Sequence, residues 1–259
     1  MCIRDRYAIM KLVKHIQQGQ LGYFTQNDEA ISVSENQHYR WLAFDDVVQS
    51  MMLKRKPWQI TFPHQISLLS PLLFLKPKIV VEFGLGGGNL ARFLLHYLPD
   101  LTLHTIEYSQ EVIKCFEKYF NPQSANVNLH YNSALDWLHY NKKIKADWFI
   151  CDIYQKNQSI NDSLMLTKNI LKKVGENAVL SLNLPSPSSE DINYFLSELK
   201  ILAPTKHLVY FHIPHYLNVI IHLLPCDLLN QSEQDLLVNT VLPARTFNRW
   251  RKYWRHGMQ

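Results

Sequence analysis

Cysteine is scarce in this chain of 259 residues, with four copies. Cys2, Cys115, Cys151 and Cys226 lie far apart and form no CxxC pair. A disulfide framework or a zinc site is therefore not expected, and reduced thiols of a cytosolic enzyme are the reading. None of the 12 histidines shows a metal spacing such as HExxH, and no metal is expected. His212 and His215 flank Pro214 in an apolar stretch, where packing or a backbone hydrogen bond is the expected role. Long hydrophobic runs are missing too. The longest mostly apolar stretch, Ile66 to Leu75, contains Pro71, whereas a membrane-spanning helix needs about 20 apolar residues. No charged start followed by an apolar core of signal-peptide type is visible, so a cytoplasmic protein is expected. There is no internal repeat and no low-complexity segment.

What is present is an ordinary globular mix, 47% hydrophobic, 12% aromatic and 19% charged. So much apolar side chain excludes whole-chain disorder and suits one large α/β domain with a small appendage. The net charge of +5 has a location. Residues 245–256 hold Arg245, Arg249, Arg251, Lys252 and Arg255 and no acid, so the remainder of the chain balances to zero.

Residues 1–6 show no periodicity and read as a non-native leader, left out of the argument. Ile31 to Ser34, Tyr39 to Phe44 and Val47 to Met52 read as strands. Glu35-Asn36-Gln37 and Asp45-Asp46 supply the turns of a small antiparallel meander. After Lys54 to Pro57 breaks the pattern, His64 to Leu75 reads as a short helical stretch. From Lys78 onward strands and helices alternate. Expected strands are 79–83, 101–107, 127–130, 148–152, 178–182, 208–213 and 219–224. Helices lie between them, with Ser109 and Ser188 as N-caps and Gly175 as a stop. This rhythm means βαβ units and a mainly parallel sheet.

The strongest local signal is Glu82-Phe83-Gly84-Leu85-Gly86-Gly87-Gly88, between a strand and a helix. Glycines there permit a tight turn and a close approach of backbone N–H groups to a ligand, although a turn can need glycine for its dihedrals alone. Glu107 ends the next strand, 19 residues after Gly88, where an acid can accept from both ribose hydroxyls. Alone, Glu107 would read as a solvated loop carboxylate; beside the glycine turn it reads as part of a nucleoside site. Asp152 closes the strand Trp148 to Asp152 and should face the same crevice. It is a candidate for orienting or deprotonating a nucleophile, with a helix cap or loop acid as the alternative.

Three stretches resemble the spermidine synthases and their bacterial relatives. Arg40 to Met52 is similar to the family's β-hairpin, ending in Val48-Gln49-Ser50. Glu82 to Gly88 with Leu90-Ala91-Arg92-Phe93 resembles its glycine-rich loop and first helix. His104 to Phe120 resembles its ribose-binding strand and following helix. Weaker matches are His64, in the place of the family's Tyr-His-Glu, and Ala146 to Asp152, in the place of its catalytic strand. The resemblance spans residues 31–185. It implies a doubly wound, mainly parallel seven-stranded Rossmann-like sheet of the class I methyltransferase type, with an antiparallel last strand and a small N-terminal antiparallel β-cap. The implied organisation is an N-terminal segment and cap over 1–57, a nucleoside-binding catalytic domain over 58–225 and a basic-aromatic helical tail over 226–259.

The resemblance also implies a co-substrate, S-adenosylmethionine or its decarboxylated form. Gln49, His64, Glu82, Gly84, Gly86, Gly88, Glu107, Ser133 and Ala134 would bind it, and Asp152 would be catalytic. A small-molecule amine acceptor and a homodimer are implied as well. The departures concern the acceptor. Gln155 and Lys156 replace the family's second active-site acid and its proline. Asn132-Ser133 stands for an adenine-contacting Gly-Asp, with Asp136 as a substitute, and Pro63-His64-Gln65 lacks a tyrosine that helps hold the amine. Polyamines need carboxylates along their groove, and a lysine there would repel them. The expected function is therefore aminopropyl transfer from decarboxylated S-adenosylmethionine to an amine. The alternatives are S-adenosylmethionine-dependent methyl transfer to a small molecule or RNA, and a non-catalytic nucleoside-binding relative. The tail can form a helix with Phe247, Trp250 and Trp254 on one face. Such a helix can bind nucleic acid or an anionic membrane surface, but docking on the domain with its arginines solvated is the favoured reading.

Overall fold

The computed structural model describes residues 14–26, 30–154, 159–231, 236 and 240–257. Two sheets organise them. A four-stranded antiparallel cap holds β1 (Gln20–Gln26), β2 (Ala30–Glu35), β3 (Tyr39–Phe44) and β4 (Val47–Leu53), in that order. β1 is an addition to the meander expected from the sequence. Its exposure explains the omission: in Gln20–Gln26 only Tyr23 and Thr25 are even half-buried, so no apolar alternation marks it. It is held by its antiparallel pairing with β2.

The stretch expected as one helix from His64 splits into α1 (Pro63–Leu68) and a 3-10 turn over Ser70–Leu73. Pro71 lies in that turn, and its missing N–H and its ring are incompatible with a continuous α-helix. The large sheet then builds from β5 (Ile79–Phe83), β6 (Thr102–Glu107), β7 (Asn128–Tyr131), β8 (Trp148–Cys151), β9 (Val179–Leu184), β10 (Lys206–His212) and β11 (Val219–Pro225). Its spatial order is β10-β11-β9-β8-β5-β6-β7. β7, β6, β5, β8 and β9 pair in parallel, while β11 runs antiparallel to both β9 and β10. This is the mainly parallel seven-stranded α/β sheet expected, with the last strand reversed.

Five helices complete this part: α2 (Asn89–Tyr97), α3 (Gln110–Cys115, running into a π turn over Phe116–Phe120), α4 (Ala134–Tyr140), α5 (Ile160–Leu171) and α6 (Ser189–Leu202). Both faces of the sheet are covered, which is why its central strands are mostly apolar, with Glu82, Thr105 and Ser181 as buried polar exceptions. The pleat separates the layers. Val80, Trp148 and Ile150 pack on one side with Phe93, while Val81, Phe149 and Cys151 pack on the other with Phe195.

The first layer also receives α7 (Ala244–Gly257). Phe247, Trp250 and Trp254 are buried there, and Trp250 stacks on Phe93 with ring centroids 5.3 Å apart. The aromatic stripe of the tail is therefore a docked face. Val33, Leu42 and Met52 of the cap pack against Val112, Phe116 and Phe120, which sets β4 over the loop that follows β5. No described helix is long and apolar enough to cross a membrane.

Candidate functional site

The chain runs from β5 outward through β6 and β7, then returns to the other side of β5 with β8. Strand order therefore reverses between β5 and β8, and the carboxyl ends of strands beside such a switch point form a crevice. A cavity of about 450 Å³ lies there. Gln49, Glu82, Gly84, Gly86, Glu107 and Asp152 all line it, although up to 103 positions separate them in the chain.

The loop after β5 needs its glycines for the shape of the crevice. Gly84 has φ +94°, and a Cβ there would sit 2.4 Å from the carbonyl oxygen of Asp152. A side chain would thus push the β5 loop off the end of β8. Gly87 meets the cap: its N–H donates to Ser50 Oγ at 2.8 Å, and a Cβ on it would come within 2.7 Å of Ser50 Cβ. Gly88, also at positive φ, caps α2 and packs on Phe116 rather than lining the cavity.

Arg92 holds this arrangement from beneath. It is buried, and its guanidinium donates to the carbonyl oxygens of Pro57 (2.8 Å), Phe120 (2.7 Å) and Gly87 and to Asn89 Oδ1 (2.6 Å). A buried cation without partners would be costly, so satisfying it with fixed carbonyls ties loop, cap linker and π turn together.

The three acids of the cavity differ in their surroundings. Glu107 accepts from the backbone N–H groups of Ser109 (2.9 Å) and Leu85 (3.0 Å). Burial raises its pKa, and these N–H groups oppose the rise. Glu82 is fully enclosed, and Thr105 Oγ1 donates to it at 2.7 Å. Burial pushes its pKa up to about 8, so the neutral acid is the main form at pH 7. Asp152 is only half-buried. Its Oδ1 accepts from Asn183 Nδ2 at 2.7 Å, and Asn183 Oδ1 in turn accepts from Asn218 Nδ2 at 2.9 Å. That chain immobilises one carboxylate oxygen and leaves Oδ2 to act on a ligand.

Two cavity-lining side chains carry a buried nitrogen without a partner, Gln49 Nε2 and His64 Nδ1. Unsatisfied buried polar atoms are rare and costly, so both fit a ligand bearing hydrogen-bonding groups. Burial lowers the pKa of His64, and the Asp152 charge opposes that shift. The ring of His64 neighbours those of Phe62 and Tyr216, at centroid distances of 5.5 and 5.7 Å.

Of the residues expected from the sequence, Gln49, His64, Glu82, Gly84, Gly86, Glu107, Ala134 and Asp152 line the one cavity. Ser133 does not. Its hydroxyl caps α4 and bonds the Asp136 carboxylate at 2.7 Å, so the Asp136 offered as a substitute adenine contact is also engaged, while Asn132 lines the cavity. Gln155 and Lys156 lie outside the described residues. Sequence reasoning missed Asn183, Asn218 and Tyr216, and it expected packing or a backbone hydrogen bond of His215, which lines the cavity at φ +64°. The signal available for Asn183 was its place as a polar residue near the carboxyl end of an apolar strand, the position that singled out Asp152.

No family model matches the chain. A segment of 92 residues is 29% identical to a polyamine aminopropyltransferase of Chromobacterium violaceum and covers 35% of each chain. A longer match of 159 residues, 28% identical, covers 56% of this chain and 53% of the polyamine aminopropyltransferase of Vibrio vulnificus. The chain thus matches between a third and about half of the length of these curated relatives. Among solved structures, a spermidine synthase in complex with the transition state analogue AdoDATO aligns with a TM-score of 0.60 at 15% identity, over 90% of this chain and 89% of that one. Human methyltransferase-like protein 13 in complex with SAH aligns with a TM-score of 0.59 at 17% identity, over 74% and 93%. The fold is that of the methyltransferases and spermidine synthases, and the resemblance read from the sequence is found again in both comparisons.

Proposed function

We propose that this protein moves an aminopropyl group from decarboxylated S-adenosylmethionine to an amine. What carries the reading is one cavity in which the glycine loop and Glu107, a nucleoside-binding pair, open onto the tethered carboxylate of Asp152. The likeness to polyamine aminopropyltransferases adds support.

The donor supplies a carbon activated by the adjacent sulfonium. Each other task falls to the chain. Glu107 accepts from the ribose hydroxyls, while the loop from Gly84 to Gly86 and the Gln49 amide border the nucleoside. Asp152 Oδ2 takes a proton from the acceptor ammonium, which frees the nitrogen lone pair. That lone pair forms the new N–C bond as the C–S bond breaks, the C–S electron pair stays on sulfur, and methylthioadenosine leaves. Asn183 keeps the carboxylate turned toward the amine. Holding donor and acceptor in line is the larger contribution, since orientation can supply about 7–11 kcal/mol of barrier reduction.

Calorimetry with S-adenosylmethionine, its decarboxylated form and methylthioadenosine tests the reading, together with release of methylthioadenosine in the presence of amines. Tighter binding of the decarboxylated donor and amine-dependent release are expected. Tight binding of S-adenosylmethionine without amine-dependent release would instead direct the assignment to methyl transfer.

A further inference from the structure

Among the described residues, the acceptor side of the cavity contains one carboxylate, that of Asp152, for all the cations the reaction would bring. Among the described residues that line the cavity the acids are Glu82, Glu107 and Asp152. Glu82 is enclosed and bonded to Thr105, and Glu107 is turned to the Leu85 and Ser109 N–H groups. Asp152 alone stands among acceptor-side walls. Those walls carry no other acid: they are Phe62, Tyr216 and Leu217, the amides Asn183 and Asn218, and the imidazoles of His64 and His215. Gln65, next to His64, is neutral and accepts from Asn89. The sequence Gln155-Lys156-Asn157-Gln158, which follows the site in the chain, contains no acid.

The charge balance follows from the chemistry. Decarboxylated S-adenosylmethionine carries a sulfonium and an ammonium. An acceptor diamine would add two more positive charges, and its distal ammonium would leave water without a counter-charge. A monoamine adds one, which Asp152 neutralises by taking its proton. Its tail would lie against Phe62, Tyr216 and Leu217. The rings of Phe62, His64 and Tyr216 stand within 6.5 Å of one another and offer apolar area and π-faces, suited to a hydrocarbon chain and a single cation.

We propose that the acceptor is a primary monoamine with an uncharged, chiefly apolar tail, and that the cavity discriminates against a second ammonium on the acceptor. The inference rests on the aminopropyl-transfer reading of the same site. The reaction balances as before: the acceptor ammonium gives one proton to Asp152, the nitrogen bonds the propyl carbon, the C–S bond breaks and methylthioadenosine departs. The product is a secondary ammonium.

Butylamine and putrescine share a four-carbon chain and differ by one amine, so they isolate the charge. Methylthioadenosine release from decarboxylated S-adenosylmethionine is measured with each, and their binding to protein saturated with methylthioadenosine is measured by calorimetry. Butylamine should be favoured at least tenfold in kcat/KM and in Kd. Leu217 is exposed at the cavity wall, so Leu217→Asp should fold normally and shift the ratio at least fivefold toward putrescine. Equal use of the two amines, a preference for putrescine, or no shift in Leu217→Asp would overturn the inference and leave aminopropyl transfer standing. No release with any amine would sink aminopropyl transfer. The two binding constants would then decide the inference by themselves, a tenfold preference for butylamine sustaining it and equal or absent binding overturning it.

Discussion

Glu107→Gln keeps the size of the side chain and removes its charge, which isolates the nucleoside contact. A carboxylate offers about four lone-pair sites. Bonds from Ser109 and Leu85 at 2.9 and 3.0 Å fall one on each oxygen, the Gly86 and Tyr108 N–H groups also favour the charged form, and Glu107 lines the cavity. The amide replaces one oxygen by an N–H donor. One backbone N–H then loses its acceptor, and at least one ribose hydroxyl loses a charged one. A hydrogen bond to a charged group is worth about 1.5–3 kcal/mol, so methylthioadenosine affinity should fall roughly 10- to 150-fold. Because burial raises the Glu107 pKa, the wild-type carboxylate gains protons sooner than an exposed one as pH falls. The difference between wild type and variant should therefore shrink as the pH falls through that pKa. Calorimetric titration at several pH values measures both effects, with thermal unfolding as the control for folding. A dissociation constant within twofold of wild type at pH 8, in a folded variant, would remove Glu107 from the nucleoside site.

Asp152→Asn should lower any transfer rate by a factor of order 10²–10⁴ while leaving nucleoside affinity nearly unchanged, as a positioned base requires; steady-state kinetics and calorimetry read the two separately. Trp250→Ala in the docked helix should cost about 3–5 kcal/mol in denaturant unfolding. Trp250→Phe should cost much less, because its buried Nε1 has no partner whose loss must be offset. The contribution of His222 to stability should also fall on acidification below about pH 6.5, which His222→Asn isolates. His222 is enclosed, bonded by Ser181 at 2.8 Å, and its pKa is lowered to about 3, so the unfolded chain takes up a proton that the folded one refuses. The slope from this group is about 1.4 kcal/mol per pH unit down to pH 3, measurable by unfolding across that window. Glu82 has the opposite sign. Its pKa of about 8 makes the folded state lose stability as pH rises from about 4.5 to 8, so Glu82→Gln should remove that loss and leave the His222 slope unopposed between about pH 4.5 and 6.5.

The local order of the chain was legible because burial writes itself as pattern. Trp148–Cys151 is a continuous apolar run, and Ile79–Phe83 is one but for Glu82, since helices cover both faces of the sheet. Ser109 and Ser188 announced their helices because an N-cap needs a side-chain acceptor. The stripe of Phe247, Trp250 and Trp254 carried the helical period and proved to be a buried face. Gly84 to Gly88, Glu107 and Asp152 could be singled out because each sits where a strand ends.

Tertiary structure decided what no periodicity encodes. β1 exists through hydrogen bonds to β2 while its side chains stay largely in water, and an exposed strand has no apolar alternation to display. Asn183 became the partner of Asp152 across 31 residues, and Asn218 the partner of Asn183 across 35. Those pairs arise because the sheet places β8, β9 and β11 side by side in an order unlike that of the chain. Ser133 went to a helix cap, and the neutral state of Glu82 followed from its enclosure. A polar side chain has the same chemistry wherever it occurs in a sequence. Its role is set by the partners and the amount of water around it, and both are properties of the folded neighbourhood.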